Sequence, residues 1–446
     1  MQNQPQRLTR RTFLKSATVI AAGTGLPLWF AEETLDAARP RPPLGPNDKP
    51  NVALIGCGGQ GRSDTREAAK FANIVAVCDV DAKHAEAASQ QFGGAKIYQD
   101  FRKLLERDDV HAVINGTPDH WHTLINMAAL KAGKDVYSEK PLTLTIDEGR
   151  RLVTVVRQTQ RIFQTGSQQR SDARFRLACE LVRNGRIGKL KHLITALPAG
   201  RHGGPFRAAP IPPELDWNFW QGQAPEREYV PERCHGNFRY WYEYSGGTMT
   251  DWGAHHNDIA LWGLGLERSG PISIVGRPLI QPIPGGFTAA SEYQVDYTYA
   301  NGVTHRCQSD SGTGPGGVTR GTTRANEIPN GVKFIGTDGW IYVTRGKIEA
   351  NQPELLSEPL KSKKVELYVS TNHMGNFFDC IRSRKPPICE AEIGHRSVSV
   401  CHLGVIAIRL GKMLRWNPAQ ETFVNDPEAN FYVAREQREP FTYNWV

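Results

Sequence analysis

Asp251 and His255 stand four residues apart in SGGTMTDWGAHHNDIALW, residues 245–262. On a helix, that spacing puts a carboxylate and an imidazole on one face about a turn apart. Asp258 joins the same flank a turn later, and His256 points elsewhere. A carboxylate beside an imidazole orients the ring and raises its basicity. Such a pair can take the proton of a hydroxyl while a hydride leaves the same carbon. The spacing also fits a plainer arrangement, with Asp251 capping a helix and His255 satisfied in a core. No metal site is expected. His255, His256 and Asp258 lack H-x-x-x-H or H-x-H spacing. His395 and His402, two turns apart on one helix, would be separated by roughly 10 Å.

A second constellation lies earlier. NVALIGCGGQG (51–61) places the apolar run Val52–Ile55 before Gly56, Gly58 and Gly61, a G-x-G-x-x-G loop that also contains Gln60. A helical stretch (62–71) follows, and the apolar run NIVAVCDVD ends in Asp79, eighteen residues after Gly61. Gly56 permits the turn off the strand, Gly58 lets backbone approach a pyrophosphate, and Gly61 lets helix and strand pack closely. Asp79 stands where a carboxylate binds ribose hydroxyls and repels a 2′-phosphate, so the expected cofactor is NAD rather than NADP.

The elements that must position these residues are legible in outline. Strands are expected at HAVINGTP (111–118), KDVYSEKP (134–141) and RIFQTG (161–166), and helices at 122–133 and after the T-x-x-E capping box Thr145–Glu148. This predicts an α/β protein with an N-terminal doubly wound parallel sheet. The expected domains are 1–46, signal and linker; 47–168, the nucleotide domain; and 169–446, a substrate domain. Strands of the last are suggested by KHLITALP, PISIVGRPLI, EYQVDYTYA, GVTHRCQSD, GVKFIGT and GWIYVTRG. The aromatic stretches LDWNFWQGQAPEREY and NFRYWYEYSGG fit either packing or stacking on a sugar ring.

Composition narrows the class. Of the net charge of +8, residues 1–50 contribute +3, and the remaining +5 is diffuse, which argues against a nucleic-acid partner. The eight cysteines include no C-x-x-C pair, and their expected role is as small core residues.

SEKP (138–141) after TPDHWH (117–122), then GRIGK (185–189) and the G-G-x-x-x-D-x-G-x-H-x-x-D run at 246–258, together resemble the Gfo/Idh/MocA oxidoreductases. The resemblance covers nearly the whole chain after residue 50. It implies a C-terminal α+β domain with an open, mostly antiparallel sheet, a face suited to homo-oligomers, and a carbohydrate or polyol substrate. It assigns Lys140, Asp251 and His255 to catalysis, with the Lys140 ammonium between nicotinamide and substrate. It implies a cis Pro141 and cofactor contacts from Thr117, Pro118, His122, Glu139 and Lys140. It places Gln168, Arg170 and Asp258 at the substrate. The chain departs from the family pattern at Gln169, where Arg is frequent, and at Asp119, where Asn is frequent.

LTRRTFLKSA (8–17), followed by an apolar stretch to Phe30, resembles a twin-arginine export signal. That route carries proteins folded first around a cofactor. It implies the twin-arginine translocase as a partner and a periplasmic or membrane-tethered location. An enzyme outside the cytoplasm finds little free NAD, so the cofactor is expected to travel bound. Bound NAD then suits either a two-substrate oxidoreduction or a redox-neutral oxidation–elimination, beside a simple dehydrogenase. A nucleotide-binding sensor without chemistry is the non-enzymatic alternative.

Overall fold

Val52, Ala53, Leu54 and Ile55 are all buried, as a strand covered by helices on both faces requires. In the computed structural model, which describes residues 10–37, 49–309 and 328–445, they lie in the central part of a parallel sheet. Its strands are β1 (Asn51–Ile55), β2 (Asn73–Cys78), β3 (Lys96–Tyr98), β4 (Ala112–Asn115), β5 (Asp135–Ser138) and β6 (Phe163–Thr165). They run in the order β3-β2-β1-β4-β5-β6. The chain reverses direction across the sheet between β1 and β4, the switch point at which such sheets bind ligands. The helix starts at the expected cap, with one difference: Thr145 Oγ1 accepts from the Glu148 N–H at 3.3 Å, whereas Glu148 Oε2 accepts from the N–H of Leu144, one residue before the cap, at 2.8 Å.

The second domain is a nine-stranded sheet. It comprises β7 (Leu190–Ala196), β8 (Ser273–Pro278), β9 (Tyr293–Thr298), β10 (Thr304–Ser309), β11 (Gly331–Gly336), β12 (Trp340–Thr344), β13 (Lys347–Ala350), β14 (Met413–Asn417) and β15 (Thr422–Phe423). The order is β13-β12-β11-β7-β10-β9-β8-β14-β15, with only β7 and β10 paired in parallel. The fold is therefore α/β with a parallel nucleotide-binding sheet and a mixed, mostly antiparallel second sheet. The long helix Ala391–Leu410 returns to the first domain, where His395 packs directly on Gly149 of the helix Ile146–Thr159.

Two features fall outside the expected elements. Within the stretch expected to be signal and linker, Arg10–Thr24 and Leu28–Ala37 are helices. Leu26 and Phe30 are buried in the second domain's core beside Phe175 and Leu177. Arg176, itself buried, lies over the Phe30 ring at 4.2 Å and donates to Thr34 Oγ1 at 2.5 Å. The remainder of the expected signal and linker, residues 1–9 and 38–48, lies outside the described residues. No helix among the described residues is long and apolar enough to cross a membrane. All eight cysteines are buried, and none is in a disulfide.

The second feature is the excursion 198–245 between β7 and the short helix Thr248–Asp251. It leaves the second sheet and returns over the nucleotide domain. There Asp81 and Leu215 form an antiparallel bridge, the Ala82 N–H donates to Glu214 O at 2.9 Å, and the Asp216 N–H donates to Val80 O at 3.1 Å. The C-terminal tail clamps it from outside. Phe219, Phe441 and Trp445 pack on Phe101 and Trp121, and Arg438 holds Asn218.

Burial sets an acid limit on this fold. It pushes His120, His305 and His402 down to about 3, and His256 and His373 down to about 4, from an ordinary value of 6.5. Each takes up its proton near pH 6.5 when unfolded and only at much lower pH when folded. Their stabilising contribution is therefore complete above 6.5 and declines as pH falls toward 4, by up to about 1.4 kcal/mol per pH unit for each ring. The thermal midpoint should fall steeply between pH 6.5 and 4 in calorimetry. A midpoint constant over that interval would show that these rings are not buried as neutral groups.

Candidate functional site

Two adjoining cavities meet at Lys140. The first, about 490 Å³, opens along the ends of β1, β2 and β4. The fit to a dinucleotide is built into its floor. Gly56 has φ +89°, and a side chain there would meet Thr117 N at 2.4 Å. A side chain at Gly61 would meet Gly56 O at 2.1 Å, whereas Gly58 and Gly59 face open space. The loop is thus tight where strand and helix pack and open where a pyrophosphate would lie. Asp79 closes one end. Its carboxylate accepts from the Cys57 N–H at 2.7 Å and the Asp81 N–H at 2.9 Å. Burial raises its pKa, and those two donors oppose the rise.

Gly56, Gly58, Gln60, Asp79, Thr117, Pro118, Glu139 and Lys140 all line this cavity. His122 does not. It is buried, with Nδ1 2.7 Å from Pro141 O and Nε2 2.8 Å from Thr117 O. It braces the two loops from behind, so its expected place at the cofactor is corrected. The excursion supplies the opposite wall with Phe219, Trp220, His235, Phe238 and Arg239. Asp119 lines the same cavity. Burial pushes its carboxyl up to about 7, against the pull of the Ser245 hydroxyl. At neutral pH much of it is a neutral acid, an amide-like donor and acceptor.

The second cavity, about 650 Å³, shares Gln60, Glu139, Lys140 and Arg239 with the first and adds Gln168, Asp251, Trp252, His255 and Arg345. Lys140, preceding a cis Pro141, extends from the loop after β5. Its Nζ donates to Asp251 Oδ1 at 2.6 Å across the domain seam. Burial alone would raise the Asp251 carboxyl, but Lys140 and Arg239 outweigh it and hold the group below its usual value. Arg239 Nε reaches the same Oδ1 at 3.4 Å.

The expected Asp251–His255 pair does not form. The chain breaks at Trp252 between the helices Thr248–Asp251 and Gly253–Leu264, and the His255 N–H bonds Trp252 O three residues back. Asp251 turns to Lys140 instead. His255 Nδ1 is buried with no hydrogen-bond partner among the described residues. Burial and then the nearby Lys140 push this imidazole well below its ordinary value, so it is neutral. A neutral imidazole lining a cavity offers a nitrogen lone pair as a hydrogen-bond acceptor.

Arg170 and Asp258 are corrected as substrate contacts. Arg170 Nε and NH2 donate to the two Asp258 oxygens at 2.7 and 2.8 Å, and the pair is only 2% and 1% exposed. Ser397 adds a third donor. The carboxylate is saturated inside the domain, and removing one partner would cost about 3–5 kcal/mol by stranding the other charge. Gln168 does line the second cavity and donates to Glu139 Oε1 at 2.9 Å. Most rings of the two aromatic stretches pack in one cluster or line the first cavity, while Tyr242 packs in the second domain's core; none lines the second cavity.

Sequence reasoning missed Arg239, Arg345, Trp252 and Asp64. Arg345 sits at the β12–β13 turn, stacks over Trp252 at 4.9 Å and donates through Nε to the Gln169 amide oxygen at 3.2 Å. Asp64 is pushed well up by burial first and then by Glu139 beside it, so its neutral acid form is favoured. Only Asp64 carried a signal, lying one turn after Gln60 on the loop's own helix.

A parallel sheet with this loop, joined to a second domain whose helices carry an acid and an imidazole to the crevice, defines a two-domain nucleotide-dependent oxidoreductase fold. The chain belongs to the Gfo/Idh/MocA family. Residues 50–167 match the family's NAD-binding Rossmann fold, and residues 200–313 and 325–443 match its C-terminal alpha/beta domain. The first domain is an NAD-binding domain. A glycosyl hydrolase family 109 protein of Shewanella pealeana is 30% identical over 214 residues, 42% of this chain and 45% of that protein. The chain thus matches less than half the length of that relative. The NAD(+)-dependent scyllo-inositol 2-dehydrogenase of Bacillus subtilis is 26% identical over 325 residues, 71% of this chain and 81% of that enzyme. The aldose–aldose oxidoreductase of Caulobacter crescentus, solved with glycerol, superposes with a TM-score of 0.60 at 18% identity, covering 82% of this chain and 99% of that one.

The D119N variant isolates the effect of the shifted carboxyl. At pH 6 it should hold NAD nearly as tightly as the parent, because both groups are then neutral. Titrating the parent from pH 6 to 8 ionises Asp119 around its value of about 7 and should change its NAD affinity, while the variant's stays flat over that interval. Parallel profiles from fluorescence titration would contradict the assignment.

Proposed function

We propose that this protein is an NAD-dependent oxidoreductase acting on a hydroxyl of a sugar or polyol, with the cofactor held through the catalytic cycle. The observation that carries the reading is the Lys140–Asp251 pair at the junction of the two cavities, with neutral His255 beside it. NAD in the first cavity supplies the hydride acceptor. The chain's own groups do the rest. Lys140 Nζ donates to the reacting oxygen and stabilises its alkoxide character. His255 takes the hydroxyl proton. Asp251 and Arg239 fix the ammonium, and Gln168, Arg345 and Trp252 orient the ring from the opposite side.

Retention of the cofactor is supported by the excursion, which forms one wall of the cavity and is clamped from outside by the tail, and it suits export by the twin-arginine route to the periplasm. A homo-oligomer formed through the second domain's sheet, as the family resemblance implies, is part of this reading. A redox-neutral oxidation–elimination at a glycosidic carbon is the second reading, favoured by similarity to the Shewanella glycosyl hydrolase family 109 protein.

The purified protein should carry nicotinamide absorbance that responds to one or more members of a sugar and polyol panel. Release of an aglycone without net NADH selects the second reading. K140A should lower turnover by about a hundredfold or more, the scale of losing a positioned proton donor. A variant that binds NAD and turns over at the parental rate would remove Lys140 from the chemistry.

A further inference from the structure

At the rim of the first cavity, near Asp79 and far along the crevice from Lys140, stands a cluster that the proposed chemistry does not use. Asp81, His84 and His235 each offer a ligand atom, and the three atoms lie within 4.8 Å of one another. They come from both domains. Asp81 follows β2 and caps the helix Ala82–Gln91, His84 sits in that helix's first turn, and His235 lies in the excursion.

Asp81 is held in place. It is buried, its N–H donates to Asp79 Oδ1, its Oδ1 accepts from the His84 N–H at 3.2 Å, and its backbone bridges Leu215. That leaves Oδ2, which is 3.4 Å from His235 Nε2. The His84 and His235 rings are 4.6 Å apart between centroids. His235 reaches this position with φ +48°, a left-handed conformation that costs a non-glycine residue free energy and concentrates at functional sites.

Two imidazoles and a carboxylate form a zinc-type donor set. Metal–ligand bonds of about 2.0–2.2 Å in a tetrahedron place ligand atoms about 3.3–3.6 Å apart. The Asp81–His235 spacing already meets that edge length. His84 is partly exposed, so rotation of its side chain can close the remaining edges. Its Nδ1 also lies 3.9 Å from Asp79 Oδ2, the kind of carboxylate that orients a metal-binding imidazole from behind.

We propose that Asp81, His84 and His235 bind a divalent transition-metal ion of the zinc type, which staples the excursion to the nucleotide domain beside the adenosine end of the crevice. Water fills the fourth position. The ion is remote from Lys140 and His255 and serves to hold the cover shut over the dinucleotide. Metal binding stands independently of the proposed activity; only the effect on cofactor release rests on that reading.

The test uses the full-length chain, stripped with a chelator and titrated with Zn²⁺ against a chromophoric chelator. One equivalent per chain should bind at micromolar concentration or below. Affinity should fall by at least about tenfold in D81N and in the double variant H84Q/H235Q, with unchanged far-ultraviolet circular dichroism for the double variant, whose rings lie at the surface. Zinc loading should slow NAD release from the parent and leave the double variant's release rate unchanged. No stoichiometric binding, or equal binding by the double variant, overturns the site. Binding that leaves NAD release unchanged overturns the stapling role. A chain that holds no NAD still yields the zinc titration, so failure of the cofactor reading is told apart from failure of the metal site.

Discussion

The arrangement depends on one ion pair formed between domains. Lys140 comes from the loop after β5 and Asp251 from the end of a short helix that follows the excursion, and they meet 2.6 Å apart where the two cavities join. A buried ion pair contributes little net stability, since the cost of desolvating both charges offsets their attraction. What it contributes is position. Separating the domains would leave each charge partly buried and unpaired, so the pair fixes the seam along which the two cavities adjoin. Arg239 reinforces it from the excursion, and the His255 imidazole, made neutral by burial and by the cations around it, completes the wall.

Around that point, the chain is organised to close the crevice. The excursion bridges to the residues just after β2, and the C-terminal tail packs an aromatic cluster over its outer side. These contacts are backbone bonds and stacked rings, whose geometry resists small displacements. The N-terminal helix Leu28–Ala37 adds a layer to the second domain, burying Phe30 under the Arg176 guanidinium. Both terminal regions thus take part in the tertiary structure of the described chain.

What was legible in the sequence was local. The glycine loop, its strand, its helix and Asp79 form a short continuous unit whose spacing is set by backbone sterics, and Thr145 with Glu148 announces a helix start in four residues. Lys140 and the aspartate and histidine of the second domain were legible through family resemblance. What failed was pairing. Asp251 and His255 suit one helical face by spacing, but the break at Trp252 separates them. Arg170 and Asp258 look polar and available in sequence, yet 88 residues apart they neutralise each other inside the core. Arg239 and His235 reach the crevice from the short 3-10 helix His235–Tyr240 and Arg345 from a hairpin turn, elements too short for periodicity to indicate which way a side chain faces. His122 kept its place beside the correct loops but faces their carbonyls rather than the cavity.

The most direct measurement is a crystal structure of the purified protein with NAD bound. The account predicts the nicotinamide ring at the junction of the two cavities, within contact distance of Lys140, with His255 open to the adjoining cavity. A nicotinamide lying elsewhere, or a Lys140 ammonium turned away from it toward solvent, would contradict the account.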